Sequence, residues 1–295
     1  MTPRLFLALL KETAVQWTRH KAQRLGAALA YYTIFALAPL LIIFITIVGI
    51  VYGQETAQAE LFDQLQALVG PDSANFIQTL VVSARRSNSD IIATLIGVGT
   101  LMFGAVGMFA QLQDALNTIW DVNPDAGHGV KRMVRDRAVA LAMVLCVGFL
   151  LLLMLFTSTA IVTLGHYFSA LLPVPATALE LVNLALSFAM ATLLFALLFK
   201  FLPDARIDWS DVWHGALVTS LLFTLGKFLI AWYLGTSSVS SVYGTAGSLA
   251  ALLVWIYYSA QIILFGAEFT HVYARRARKF VERAKPGEIS DKFAS

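Results

Sequence analysis

The feature that most constrains this chain is a run of apolar residues near its C-terminal end, followed by a basic cluster. The run covers residues 247–271 and contains a single acidic residue, Glu268, and the basic cluster lies between residues 275 and 279. About 20 apolar residues span a bilayer as a helix, and basic residues collect on the cytoplasmic side of a membrane. The stretch therefore predicts a transmembrane helix whose C-terminal end faces the cytoplasm.

The composition shows that this run is not an isolated anchor. The chain has 295 residues, of which 58% are hydrophobic and 13% are charged, whereas soluble domains carry about 25% charged residues. The mean hydropathy is +0.73, and the apolar residues form long blocks. The basic residues stand beside these blocks, whereas nucleic-acid binding needs a basic face on a folded domain, so no nucleic-acid partner is predicted.

The apolar blocks predict an all-α, polytopic membrane protein with six transmembrane helices. They form one domain over residues 1–280, followed by a flexible cytoplasmic tail over 281–295. Between spans one and two, periodic apolar residues predict two amphipathic helices that break at Gly70–Pro71 and lie outside the membrane or cap it. Residues 5–24 fit an amphipathic helix on the inner leaflet or an ordinary solvated lead-in. The spans are predicted at about 27–52, 91–109, 138–164, 178–202, 215–234 and 247–271.

The distribution of charge predicts the orientation of these spans. With both termini inside, 18 of the 21 Lys and Arg residues face the cytoplasm. Only Arg85 and Arg86 lie outside, and Lys227 lies within a span. This asymmetry follows the positive-inside rule, and in a bacterium it predicts the inner membrane, because outer-membrane proteins are barrels.

The last span carries a polar face. Tyr257, Gln261, Phe265 and Glu268 share one side of the helix at spacings of four, four and three. The first span offers Tyr31 and Tyr32 near its start. Such residues can line a pathway, or they can hold helices together by hydrogen bonds.

Charged residues inside spans are functional candidates because burying them in lipid is costly. At 1.5 Å per residue, Lys227 lies ~20 Å deep and Glu268 only ~7 Å deep. A direct salt bridge between them is therefore not expected, and Glu180 in span four lies closer in depth to Lys227. Alternatively, Lys227 snorkels to the outer interface, and Glu268 is an interfacial acid paired with Arg275 or Arg24.

Motifs for catalysis and cofactor binding are missing from the sequence. The five histidines lie in separate segments, and no HxxE, HxH or HExxH arrangement occurs, so no metal site is predicted. There is no phosphate-binding GxxxxGK[ST] loop and no GxSxG elbow. The chain is accordingly expected to be neither an enzyme nor an ATPase, and to use no cofactor.

Three stretches resemble the YihY/BrkB family of bacterial inner-membrane proteins. They are LGAALAYYTIFALAPLLI (25–42), IGVGTLMFGAVGMFAQLQDALNTIWDV (96–122) and YGTAGSLAALLVWIYYSAQIILFGAEFTHVYARR (243–276). The resemblance covers about residues 10–280 and implies six spans. It also implies a role in serum resistance or in moving anions or lipids. An older label of the family as a tRNA-processing ribonuclease, ribonuclease BN, is regarded as mistaken.

These observations predict a transporter or channel-like protein that works without ATP, on an anionic solute or a lipid headgroup. Lys227 would attract the anionic group and Glu268 would lie near the inner mouth. Membrane lipids are the expected surroundings. The alternative is a non-transporting scaffold for envelope assembly, formed by several copies of the chain.

Overall fold

The computed structural model describes residues 3–86, 106–122, 176–236 and 245–284, together with single positions between 135 and 157. Every regular element in these ranges is an α-helix, which confirms the all-α class for this part of the chain. The helices are α1 (Pro3–Arg19), α2 (Ala22–Tyr52), α3 (Gln54–Val69), α4 (Pro71–Arg86), α5 (106–119), α6 (Ala176–Phe201), α7 (Trp209–Thr236) and α8 (Thr245–Ala284).

Four of these helices are long and apolar enough to cross a membrane. They correspond to predicted spans one, four, five and six. Most of predicted spans two and three (91–109 and 138–164), and the tail beyond 284, lie outside the described residues. The count of six spans and the orientation of the termini therefore stay predictions. The candidate spans cover Ala22–Ile50, Leu181–Phe201, Trp209–Ile230 and Gly247–Ala277.

The last helix, α8, is the element on which the others pack. Its first half packs with α2, α3 and α4, where Leu252 and Ile256 join buried residues such as Val48. Its second half contacts α1, α2 and α7. α7 runs antiparallel to α8, because Gly215 near the start of α7 meets Thr270 in the second half of α8. α2 also runs antiparallel to α8, because Gly26 near its start meets Gln261, whereas Val48 near its end belongs to the same buried cluster as Leu252.

The two predicted amphipathic helices are confirmed as α3 and α4. Gly53 and Gly70 precede them with φ of 85° and 80°, a left-handed conformation that glycine adopts without steric cost. Pro71 then opens α4, where its missing N–H costs nothing. Their apolar faces pack against α2 and α8 through buried Leu61, Phe62, Ile77 and Val81.

The N-terminal segment is a helix, α1, that packs on α8. Buried Leu9 contacts Phe269 and Val272 of α8. The opposite side of α1 exposes Leu7 and Val15, as an amphipathic helix at a membrane surface would. An ordinary solvated lead-in does not describe this segment, because one face of it is buried against the bundle.

Candidate functional site

The turn between α1 and α2 places a histidine against the bundle. α1 ends with the amide of His20 donating to the carbonyl of Gln16 at 2.8 Å. Lys21 then adopts φ 53° and ψ 40°, a left-handed conformation that costs a non-glycine residue about 1 kcal/mol. This turn lets α2 start in a new direction and leaves the His20 side chain only 12% exposed.

His20 pairs with Glu268 of α8. Its Nδ1 and Oε1 of the carboxyl group are hydrogen-bonded over 2.6 Å, and the side chain of Glu268 is fully buried. The partner is thus a histidine from the other end of the chain, in place of the arginine considered from the sequence. Removing one member of such a buried pair leaves an uncompensated charge, which destabilises a protein by about 3–5 kcal/mol.

The second nitrogen of His20 faces another carboxylate. Its Nε2 lies 3.6 Å from Oδ1 of Asp121, whose side chain is 71% exposed. Asp121 follows α5, where its amide donates to Thr118 and the amide of Val122 donates to Asn117. These bonds form a Schellman motif. Asp121 occupies the left-handed position of this motif, with φ 51°, and glycine is the usual residue at that position.

A second histidine, His271, stands one turn beyond Glu268 on α8. Its ring lies 5.0 Å from that of Trp120, the residue before Asp121. We call His20, Asp121, Glu268 and His271 the histidine–carboxylate cluster. No group of three His, Cys, Asp or Glu side chains in the described ranges could hold a metal ion.

Several buried polar atoms at this end of the bundle have no hydrogen-bond partner in the described structure. Buried polar groups nearly always find one, so their grouping here is a feature of this site that needs an explanation. The atoms are Glu268 Oε2, His271 Nδ1, Trp17 Nε1 and Trp120 Nε1.

A second ion pair fastens α1 to α8. Nε of Arg276 donates to Oε2 of Glu12 over 2.7 Å, and both side chains are about one-third exposed. Because Glu12 lies two turns before His20, the two pairs fasten the chain to α8 at two points, one within α1 and one just after it. Docking of α1 therefore decides whether Glu268 has its partner.

Lys227 lies elsewhere, in a shallow cleft between α7 and α8 that is too narrow to enclose a water molecule. Trp255, Tyr258 and Ser259 line it with Lys227, and all four side chains carry hydrogen-bond donors. No carboxylate is among the lining residues. Gly226 allows α7 to lie close to Tyr258 of α8, because a Cβ at this position would stand 2.9 Å from the Tyr258 hydroxyl oxygen.

The other sequence-predicted residues are spread along the bundle. Tyr31 is 60% exposed and meets Phe35 edge-to-face, with 5.0 Å between ring centroids. Tyr32 is 41% exposed, and Tyr257 packs against the α2–α3–α4 core. Gln261 Nε2 donates to the Ala22 carbonyl over 3.5 Å. Glu180 belongs to α6, and its side chain is outside the described residues.

The structure thus brings Glu268 together with residues that sequence reasoning passed over. His20, Asp121 and His271 lie in three separate segments, and their spacing matches no known motif. The one available signal was local: Glu268 and His271 are three residues apart, so they share a helix face. Lys227 and Glu268, expected at different depths, indeed lie in different surroundings.

Comparison with known proteins gives the family. The family model described as virulence factor BrkB matches residues 13–289. The chain belongs to the BrkB family. The match spans nearly the whole of the chain, including the histidine–carboxylate cluster, the Lys227 cleft and α8.

The curated relatives of this BrkB-family chain are described only as UPF0761 membrane proteins. One from Glaesserella parasuis is 26% identical over 82% of this chain and 80% of its own length. One from Mannheimia succiniciproducens is 27% identical over 87% and 86%. A Pseudomonas aeruginosa relative is 30% identical over 86% of this chain, which spans only 60% of that protein's length. No solved structure matches the chain.

The family, together with the four long apolar helices, identifies the chain as an integral membrane protein. The printed names of the relatives carry no activity, so its function has to be argued from the site.

Proposed function

We propose that this BrkB-family protein is a transporter of the bacterial inner membrane that moves an anionic solute or an anionic lipid headgroup without hydrolysing ATP. It has six spans and both termini in the cytoplasm, and it has no catalytic activity of its own. The positive-inside distribution of Lys and Arg supports this orientation.

The observation that carries the proposal is the Lys227 cleft. A cation within a transmembrane helix is expensive and marks a substrate path by default. Here it stands beside the hydroxyls of Tyr258 and Ser259 with no acidic residue in the lining. A lysine beside hydroxyl and indole donors, with no carboxylate in the lining, suits an anion and disfavours a cation.

The surroundings of the cleft favour a substrate that reaches it from the lipid. Phe228 and Leu229 directly follow Lys227 and are 66% and 60% exposed, so apolar side chains next to the cleft are open to the acyl chains in a bilayer. A phosphate-bearing headgroup with its tails in the lipid could reach the cleft sideways. A small anion would use the same donors.

Flux from reconstituted liposomes tests the proposal. The full chain is placed in vesicles that report either chloride and phosphate efflux or the scrambling of headgroup-labelled phosphatidylglycerol. We expect wild type to be active in one of these assays. Lys227→Gln should reduce the flux at least tenfold, which corresponds to about 1.4 kcal/mol, because the cleft loses its charge.

Lys227→Arg is the matched control, because it keeps the charge and should retain most of the flux. Equal flux in Lys227→Gln and wild type would remove Lys227 from the path. Flux no greater than in protein-free vesicles, for every substrate, would contradict transport and favour the envelope scaffold.

A further inference from the structure

The histidine–carboxylate cluster forms a line of groups from the interior of the bundle to its surface. Fully buried Glu268 contacts Nδ1 of His20, and Nε2 of His20 faces the exposed carboxylate of Asp121. The distances are 2.6 Å and 3.6 Å. The first is a short hydrogen bond, and the second is within reach of a small rotation or a bridging water.

An imidazole between two carboxylates suits proton transfer. Histidine can accept a proton at one nitrogen and release one at the other, and it changes charge near neutral pH. Glu268 supplies the buried end, because its Oε2 has no partner among the described residues and its side chain is fully buried. Ionisable groups buried in membrane helices form proton relays in pumps and transporters.

The backbone gives an independent sign that this arrangement is functional. Within the described part of the chain, only Lys21 and Asp121 have positive φ without being glycine. One adjoins His20 and the other is the outer carboxylate of the line. Strained residues of this kind cluster at functional sites. At Asp121, glycine would satisfy the helix end at lower cost.

Several titratable groups lie near this line. Glu268 has His20 and Asp121 as charged neighbours, and His271 has Asp121, His20 and Arg275. At the same end, α2 carries Arg24, which is exposed, and α7 carries buried Asp211 and exposed His214. Among these groups, His20 alone contacts both an interior and an exposed carboxylate.

We propose that the histidine–carboxylate cluster is a proton-binding site, and that the proton is the ion coupled to transport. Nε2 of His20 takes a proton from Asp121 when that carboxyl is protonated, so the Asp121 O–H bond breaks, an N–H bond forms and the imidazole becomes an imidazolium. The imidazolium then gives its Nδ1 proton to the Glu268 carboxylate, so that N–H bond breaks, an O–H bond forms on Glu268, and a neutral imidazole and the Asp121 carboxylate remain. When α1 undocks, Glu268 loses the connection. The coupling, but not the proton site itself, rests on the proposed transport function.

The proton site is tested without any substrate. Infrared difference spectra of the full chain in lipid nanodiscs, between acidic and neutral pH, should contain a carboxylic C=O band. The band should vanish in Glu268→Gln, shift in frequency in Glu268→Asp, and persist in Glu55→Gln, a control at the far end of the bundle. If Glu268→Gln folds, spectra identical to those of wild type would overturn the proposal. If Glu268→Gln does not fold, Glu268→Asp decides, and an unshifted band in that variant would overturn the proposal.

The outer end of the line is tested by a matched pair of glycine substitutions. Asp121→Gly removes the carboxylate and Lys21→Gly does not, although each replaces a left-handed residue. We expect Asp121→Gly to shift the titration midpoint of the band and Lys21→Gly to leave it in place. Equal midpoints in Asp121→Gly and wild type would overturn the part assigned to Asp121.

Coupling is tested in the liposomes with an internal pH indicator. Proton movement should accompany wild-type flux and fall at least tenfold in Glu268→Gln, while Lys227→Arg retains it. Full proton movement in Glu268→Gln would overturn the coupling. If wild type shows no flux at all, the proposed function fails, and the infrared band alone decides the proton site.

Discussion

At the scale of single residues, the histidine–carboxylate cluster is defined by the contacts of its side chains and by the left-handed backbone conformation of Asp121. Glu268 would be an unpaired buried charge without His20, and Asp121 holds a backbone conformation that favours glycine. Neither property can be inferred from residue type. Both arise because distant segments meet at the end of α1.

The cost of holding Asp121 in the left-handed region leads to a stability prediction. Asp121→Gly should keep or raise the thermal midpoint, because glycine relieves the strain at the end of α5. Asp121→Ala keeps the strain and should unfold more easily than Asp121→Gly by about 1 kcal/mol. Thermal unfolding of the detergent-solubilised chain, followed by circular dichroism, measures both. Equal losses in the two variants would mean that the carboxylate stabilises the fold.

At the scale of helices, α7 and α8 are held together by a reciprocal contact. Gly215 of α7 faces Thr270 of α8, and Thr219 faces Gly266. Each threonine hydroxyl donates to the carbonyl of the glycine one turn before it in its own helix, at 2.7 Å and 2.8 Å. Small residues four apart allow helices to approach closely in lipid. This contact fixes the register that puts Glu268 opposite α1.

Adding a methyl group at this contact should therefore be costly. A Cβ on Gly215 would stand 1.7 Å from the Thr270 hydroxyl oxygen, and one on Gly266 would stand 1.8 Å from that of Thr219. Gly215→Ala and Gly266→Ala should each destabilise the protein by about 1–3 kcal/mol, measured as a lower thermal midpoint in detergent.

Gly148→Ala is the control for this prediction, because a Cβ there would meet nothing within 4 Å. It should leave stability unchanged or raise it slightly through helix propensity. Combining Gly215→Ala with Thr270→Ala should recover part of the loss. An unchanged midpoint in Gly215→Ala would show that α7 and α8 are not packed this closely in lipid.

At the scale of the whole molecule, function depends on which end of the bundle faces the cytoplasm. α1, the start of α7 and the end of α8 share one end, and α3 and α4 cover the other. The positive-inside rule assigns the first end to the cytoplasm. With this orientation, we expect the proposed proton site to open inward and α3 and α4 to lie outside.

Thiol labelling tests this orientation. In a Cys146→Ser background, Ser83→Cys on α4 should react with a membrane-impermeant maleimide in cells whose outer membrane is permeabilised. Ser290→Cys in the tail should react only after lysis, because the inner membrane shields it. Labelling of Ser290→Cys in unlysed cells would reverse the assigned topology.

The sequence by itself determined the helices, the break at Gly70–Pro71 and the family. Apolar run length, helical periodicity and turn residues act over neighbouring positions, so they can be read along the chain. Counting residues along the helices also led us to expect no salt bridge between Lys227 and Glu268, because the count places them at different depths.

Only the tertiary structure decided the partner of Glu268. His20 stands 248 residues away in the sequence, and the contact exists because Lys21 turns the chain, α1 docks on α8 and α5 ends beside them. No local pattern encodes such a meeting. The candidate site depends on the packing of three segments, and packing is determined by the whole bundle at once.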